Sequence, residues 1–594
     1  VPTDADLDVY ADGDKQLNDS QREAFRKVLG NGPISLLQGP PGTGKTWFIA
    51  SLLHYLMTKQ QSRRILLVSQ SHEAVNNALE KALDLCRDKG ITFDAVRLGN
   101  ESAASDRIIH LHSGSIEQAY RERLKAEQRL RITRLAVEMG LPEDFARDFV
   151  ELHHRLGGLA SRIGFMAGEV ESSPEGAERG AAMARLKSLL GSFDDICRDV
   201  YDERVEGAPA TVISTLEARL IAEQGVASPE AVHRLRRLVR LSEDWLSALG
   251  SPQANFSEFL AKSRTVVAGT LVGVGHRASG VVQNLYDWVI IDEAGRAAPS
   301  ELAVAMQTGH RILLVGDHKQ LPPTFSQEVR EAIKARFAVS DDSSVFGSDF
   351  ERIFESDYGR RVGASLLRQY RMAPHIGELV SYCFYDGRLE TGRGDPPDFY
   401  SHLPDLLGHQ VNWVDTTPLG AHAHEQVSSA GDQRWNELEA KVVMGVLRQI
   451  VESHDFMDRI TQELEPGEPA VGIICMYSRQ REVLDRMKAE ASWLGDARKL
   501  VKIDTVDSYQ GKENRIVILS TVRNNDRGQV GFLTSPNRIN VALSRAMDRL
   551  FIVGSSAMWN RKNVDLPLGR VLAKVQQMST EGKATTLSAK EFLQ

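Results

Sequence analysis

The chain has 594 residues, of which 42% are hydrophobic and 26% charged, and its formal net charge is −8. That apolar share excludes a mainly disordered or collagen-like chain. The excess of 80 Asp and Glu over 72 Lys and Arg excludes a protein that coats nucleic acid by bulk positive charge, though not one with a local basic cleft. At roughly 150 residues per domain, the length makes about four domain-sized units.

The first fifteen residues are acidic and polar, so no signal peptide is expected there, and the missing initial Met suggests a processed or trimmed start. Short apolar runs rich in Val, Ile and Leu follow at 34–37, 65–68, 266–268, 288–291 and 312–315. A second set lies at 471–474, 516–519 and 550–553. Continuous rather than alternating runs suit strands buried on both faces, as in a parallel sheet covered by helices. Helical stretches at 45–57 and 73–85 alternate with them, which predicts an α/β fold built twice over. Between 113 and 262 the chain turns charged, Leu- and Arg-rich and helical in rhythm. This segment is expected to be a helical insertion, either a packed bundle with solvated charges or an arm that contacts a protein partner or nucleic acid. The expected domains are therefore 1–112 with 263–330, the insertion 113–262, and 331–594. Cys86, Cys197, Cys383 and Cys475 form no Cys-x-x-Cys pair, and no apolar run is long enough to span a membrane. An intracellular, cytoplasmic protein with no membrane partner is expected.

The segment Gly39-Pro-Pro-Gly42-Thr-Gly44-Lys45-Thr46 matches the phosphate-loop pattern in full, between a predicted strand and a predicted helix. Its glycines let backbone N–H groups curl around phosphates. Lys45 neutralises phosphate charge, and Thr46 offers a hydroxyl to Mg²⁺. Asp292 and Glu293 close the buried run 288–291. There Asp292 would hold Mg²⁺ and Glu293 would orient or deprotonate the attacking water. Gln320, just after the run 312–315, is a polar group able to sense a γ-phosphate.

With these motifs in order, the chain resembles a superfamily 1B helicase of the RNA-surveillance and senataxin-like group. The resemblance implies two RecA-like motor domains and ATP with Mg²⁺ as cofactors. It also implies single-stranded DNA or RNA as partner, with 5′-to-3′ movement. Asn18-Asp-Ser-Gln21 resembles the adenine-reading motif, which gives Gln21 the base edge. Leu367-Arg-Gln-Tyr370-Arg371-Met is similar to the signature that opens the second motor domain. This implies that Tyr370 stacks on the base and Arg371 reaches the γ-phosphate. Thr505-Val-Asp-Ser508-Tyr-Gln510-Gly-Lys-Glu513 is similar to the motif touching nucleic acid and ribose, which implicates Thr505, Ser508 and Glu513. Asn540-Val-Ala-Leu-Ser-Arg545 is similar to the final motif, with Arg545 as arginine finger. Ser69-Gln-Ser71-His-Glu-Ala-Val-Asn76 resembles the first nucleic-acid motif, so Ser71, Asn76 and Thr270 join the expected strand path, with Arg523 and Arg538 adding charge. The alternative is an ATP-switched clamp on nucleic acid or a partner, without unwinding.

Overall fold

The computed structural model describes every residue except 13–14, 174–175, 204–206, 250–255, 338–344, 432, 466, 510, 561 and 594. The chain divides into a sheet-bearing unit, Val1–His112 with Ser257–Gln594, and a helical unit, Ser113–Phe256.

The first sheet of the sheet-bearing unit has seven strands: β1 Ile34–Gln38, β2 Ile65–Ser69, β3 Ala95–Arg97, β4 Val266–Thr270, β5 Tyr286–Asp292, β6 Gly309–Gly316 and β7 Gly363–Ser365. They pair in the order β3-β4-β2-β5-β6-β1-β7, all parallel. Leu67, Ile290 and Leu313 face one apolar cluster, while their neighbours Leu66, Val289 and Leu314 are equally buried on the other face. This double burial is why the strands read as continuous apolar runs. Helix α1, Asp19–Gly30, is opened by Asn18, whose side chain caps Gln21 while Gln21 caps back. Helix α2, Lys45–Thr58, is apolar nearly all round, with Phe48, Ile49, Leu52 and Leu53 buried, as fits a core helix. Helix α3, His72–Asp88, follows β2.

Parallel pairing in register aligns the strand ends. Ser69 sits beside both Thr270 and Asp292, and Gln38 beside Gly316. In an open parallel sheet this carboxyl edge is where ligands bind.

A second sheet contains β8 Val411–Asp415, β9 Val471–Cys475, β10 Val501–Thr505, β11 Asn514–Ser520, β12 Ala546–Gly554 and β13 Ala584–Ser588. Its order is β10-β9-β11-β12-β8-β13, again all parallel. Val517 and Leu550 pack into one apolar cluster and Ile518 and Phe551 into another, so this sheet too is covered on both faces.

Two details differ from the expected boundaries. Edge strand β7 belongs to the first sheet although it lies beyond residue 331, because its backbone pairs with Leu36–Gln38. The helix Phe256–Ser263 groups almost wholly with the sheet-bearing unit, since Leu260 and Ala261 are buried there just before β4.

Among the described residues the helical unit holds five helices, Ser113–Glu138, Glu143–Ser172, Ala177–Tyr201, Pro209–Glu223 and Pro229–Leu249. Phe145, Phe149, Leu152, Leu156 and Ile163 recur at helical spacing on the second of these and are buried. They feed two apolar clusters, one shared with Leu235 and Val239, the other with Phe193 and Leu216. The buried Glu217 carboxylate pairs with His153 Nε2 at 2.6 Å and accepts from Arg236 Nε at 3.0 Å. A buried carboxylate without such partners would be strongly destabilising. Among the described residues no helix is long and apolar enough to cross a membrane.

Candidate functional site

The phosphate loop runs from the end of β1 into α2. Gly42 and Gly44 both have positive φ, 72° and 82°, which side-chain-bearing residues adopt at a cost. Close approach adds a second reason for glycine. A Cβ on Gly42 would lie 2.4 Å from Arg371 Cβ, and one on Gly44 2.7 Å from Gln21 Nε2. Lys45 Nζ donates to the Gly39 carbonyl oxygen at 2.7 Å, so the cation lies across its own loop.

Opposite the loop, Asp292 ends β5 and is almost fully buried. Burial and then the Glu293 carboxylate push its pKa up to about 7, with Lys45 pulling the other way. Glu293 follows in a left-handed backbone conformation, φ 54°, which turns the chain sharply at the sheet edge. Such a residue stores strain of the order of 1 kcal/mol. Its neighbour Gly295 lies against the next loop, where a Cβ on Gly316 would meet the Gly295 nitrogen at 2.7 Å. The loops after β5 and β6 are thereby locked together.

The second sheet's domain supplies two arginines. Arg371 forms an ion pair with Glu513 and donates to the Ser544 carbonyl at 3.4 Å. The backbone N–H of Tyr370 donates to the Gly42 carbonyl at 2.8 Å, tying this segment directly to the phosphate loop. Arg545 is buried. Its Nε donates to the Val541 carbonyl at 3.0 Å and its Nη2 to Gln320 Oε1 at 3.3 Å. Burial first, and Arg371 second, lower its pKa to about 9. The Arg545 cation therefore sits in an unfavourable charge environment that an anion would relieve.

These groups share one cavity of about 690 Å³. Its walls include Gly42, Lys45, Thr46, Asp292, Glu293, Gln320, Tyr370, Arg371, Glu513 and Arg545. Thus the expected phosphate, metal, water-activating and arginine groups are brought together. The Asp292 and Glu293 carboxyls beside the Thr46 hydroxyl are an oxygen donor set that fits a hard divalent cation.

Other expected site residues have different surroundings. Gln21 is not on the cavity wall. Its Nε2 donates to the Thr43 carbonyl at 3.1 Å and its Oε1 accepts the Asn18 N–H at 3.0 Å, so the amide braces the phosphate loop and caps α1 rather than presenting a free edge to a base. Gly39 is packed beneath the Lys45 stem. Tyr370 is exposed, with its hydroxyl accepting from Asn18 Nδ2 at 3.2 Å. Asn76 is buried, donating to the Ala103 carbonyl at 2.9 Å and accepting from Arg97 Nε at 3.3 Å. Both ends of its amide are thus engaged within the first domain. Ser71 caps α3, accepting from the Ala74 N–H at 3.2 Å, and lines the nucleotide cavity. Thr270 caps the short helix Leu271–Gly275, accepting from the Gly273 N–H at 3.1 Å. Thr505 and Ser508, at the end of β10, share a hydroxyl–hydroxyl bond of 3.2 Å. Arg523 is buried in an ion pair with Glu425, 2.9 Å, and Arg538 pairs with Asp507 at 3.2 Å. Gln510 lies outside the described residues.

The structure adds residues to which the sequence alone assigns no role. Gln70, Arg296, Lys502 and Lys512 also line the cavity. Asp317, Tyr385, Asn537 and Asn540 join the two domains by hydrogen bonds around the loop 317–320. Asp317 stands three residues before Gln320, close enough in the chain to have been singled out with it. Tyr385 stands in no motif, so only tertiary structure reveals it.

Two parallel-sheet domains meeting over a phosphate loop, with an acidic pair from one and two arginines from the other, define a phosphate-loop nucleoside-triphosphatase with a two-domain cleft. An AAA domain model matches residues 16–328, and a second AAA domain model matches residues 347–557. The chain belongs to this family, in the superfamily 1 RNA-surveillance and senataxin-like group. It is 26% identical over 549 residues to the ATP-dependent helicase upf1 of Schizosaccharomyces pombe, covering 91% of this chain and 44% of that protein. It is 24% identical over 568 residues to Helicase SEN1 of Saccharomyces cerevisiae, covering 91% of this chain and 22% of that protein. The chain thus spans less than half the length of these relatives. Among solved structures, the arterivirus nonstructural protein 10 helicase aligns with 90% of this chain and 61% of its own, at 10% identity and a TM-score of 0.31.

Proposed function

We propose that the chain is the motor of an ATP-dependent helicase or translocase acting on single-stranded DNA or RNA, moving 5′-to-3′. The observation that carries this reading is the convergence of Arg371 and Arg545, from the second domain, on the cavity that holds Lys45, Asp292 and Glu293 of the first. Two cations delivered across a cleft stabilise the transferring phosphoryl group only while the cleft is closed. Hydrolysis therefore alternates with domain movement, and two domains gripping one strand convert that alternation into stepping.

In this reading Lys45 and the loop N–H groups bind the phosphates, and Glu293 orients and deprotonates the attacking water. Gln320, Arg371 and Arg545 serve the γ-phosphate. Tyr370 and Glu513 hold the base and ribose, while Gln21 acts through the loop it braces. Thr46 and Asp292 would hold Mg²⁺, which when bound supplies positive charge to the phosphate oxygens. Ser71, Thr270, Thr505 and Ser508 remain the proposed strand contacts, through hydroxyls that recognise phosphate without base preference. The helical insertion exposes Leu130, Phe165 and Leu241, which supports its use as a protein-contact arm. Four separate buried thiols support an intracellular, cytoplasmic location.

The test is ATP turnover with and without matched single-stranded DNA and RNA, followed by strand displacement on duplexes with opposite overhangs. The expected result is stimulated turnover and displacement from a 5′ overhang. Stimulated turnover without displacement of either polarity would leave an ATP-switched clamp, and turnover indifferent to nucleic acid would reject both.

A further inference from the structure

We propose that Tyr385 is a positioning residue for turnover: it fixes the Asp317 carboxylate, and through it the Gln320 amide and the Arg545 guanidinium. This role rests on the functional reading above, in which Gln320 and Arg545 act on the γ-phosphate.

Tyr385 follows the helix Pro374–Phe384 of the second domain and is buried. It is not part of the nucleotide cavity. It lines a separate cavity of about 450 Å³, together with His318, Lys319, Asp386 and Arg388. Its hydroxyl donates to Asp317 Oδ2 at 2.6 Å and accepts from Asn540 Nδ2 at 2.9 Å. The same Asp317 oxygen accepts Gln320 Nε2 at 2.8 Å. That contact leaves the Gln320 amide one orientation. Its nitrogen must face the carboxylate, so its Oε1 faces Arg545 Nη2 at 3.3 Å. The chain of contacts runs from one domain to the other and back, Tyr385 to Asp317 to Gln320 to Arg545.

The surrounding loop is held by the same domain. Asn540 Nδ2 donates to the Lys319 carbonyl at 2.7 Å, and Asn537 Nδ2 to the His318 carbonyl at 2.8 Å and to the Gln320 carbonyl. These bonds hold the backbone of the loop. Tyr385 alone of this group reaches the carboxylate that orients the Gln320 side chain. Burial pushes its phenol far above the usual range, so it stays a donor at any working pH. Removing that O–H leaves Asp317 Oδ2 with the Gln320 amide as its one donor, while Oδ1 keeps the Lys319 N–H at 3.1 Å, so the carboxylate loses its hydrogen bond from the second domain. The Gln320–Arg545 pair then depends on a carboxylate held from the first domain alone.

The experiment measures kcat and KM for ATP, with the thermal midpoint, in the full chain carrying Tyr385→Phe, Gln320→Ala, or both. Loss of a buried hydrogen bond to a charged group predicts a fall in kcat of about tenfold for Tyr385→Phe. KM should move less than about twofold, because no ground-state contact to ATP is touched. In the Gln320→Ala background, Tyr385→Phe should change kcat by less than about twofold. An unchanged kcat, an equal rise in KM, or losses that multiply in the double variant would overturn the role. If Tyr385→Phe does not fold, Tyr385→Met removes the same hydroxyl while a flexible side chain fills the space. The same changes in kcat and KM are then expected, and the same failures would overturn the role. A parent chain without ATP turnover would instead defeat the functional reading, which that control reports separately.

Discussion

The Lys45 ammonium donates to the Gly39 carbonyl oxygen, 2.7 Å away and six residues earlier in the same loop. The loop thus supplies its own temporary partner for the cation. A phosphate that enters must draw Nζ off a carbonyl dipole, and the exchange favours the anion because two opposite full charges attract more strongly than a cation and a dipole. Lys45→Ala should lower kcat/KM for ATP by roughly 10²-fold or more. Steady-state turnover, with circular dichroism as the check on folding, measures it. Turnover near that of the parent would remove Lys45 from phosphate binding.

Glu293→Gln should retain nucleotide binding and lose hydrolysis. The left-handed turn at Glu293, φ 54°, aims the side chain while Asp292, Thr46 and Lys45 remain in place. The amide preserves shape but cannot take a proton from water, so the loss in kcat should be about 10²–10⁴-fold. Binding of a fluorescent ATP analogue, measured beside turnover, separates the two effects. Loss of both together would mean that Glu293 holds the nucleotide rather than the water.

Stability should fall as pH rises from about 5 to 8. Glu439, on the helix Glu437–Val451, is fully buried, accepting from Ser520 Oγ at 2.6 Å and from the Val522 N–H at 2.8 Å. Burial pushes its pKa up to about 7, against those hydrogen bonds. Asp292 is raised to about 7 as well. A carboxyl raised on folding binds its proton more tightly in the folded state. Its contribution is complete below the unfolded value and is lost as pH passes through the folded one. Each group can supply a slope of up to about 1.4 kcal/mol per pH unit in that window. Glu439→Gln is neutral throughout, so its melting temperature should depend less steeply on pH than the parent's. An unchanged slope would show that Glu439 is ionised in the folded protein.

Asn76→Ala should destabilise the fold by about 1–3 kcal/mol, because it orphans the buried Arg97 Nε and the Ala103 carbonyl. The affinity of the folded chain for single strands should be unchanged. Thermal melting beside fluorescence anisotropy with a labelled oligonucleotide distinguishes the outcomes. An unaltered melting temperature with weakened binding would return Asn76 to the strand path.

Asn76 and Lys45 differ in how far away along the chain their partners lie. Lys45 belongs to a contiguous loop whose glycines, strand and helix are neighbours in the chain, so local geometry settles its surroundings. The acidic pair at 292–293 was legible for the same reason, as the end of an unbroken apolar strand. Both parallel sheets were visible as well, since burial on two faces leaves runs such as Ile65–Ser69 with hardly a polar interruption.

Other assignments hung on partners far away in sequence. An amide such as Gln21 or Asn76 can donate or accept, and its identity does not say which carbonyl it will meet. Packing settled that when it put Thr43 beside Gln21 and Ala103 beside Asn76. The placement of β7 at the edge of the first sheet, past the expected boundary, likewise depended on a backbone pairing that three ordinary residues cannot announce. The two parallel sheets, the phosphate loop and the acidic pair are each specified by residues adjacent in the chain, so the order of amino acids was enough to find them. The resemblance implied roles for Arg371 and Arg545, but that both line one cavity with that loop, and that Tyr385 holds Asp317, emerged only from the folded molecule. Those contacts join residues separated by long stretches of chain, and the packing of one domain against the other is what brings them within hydrogen-bonding range.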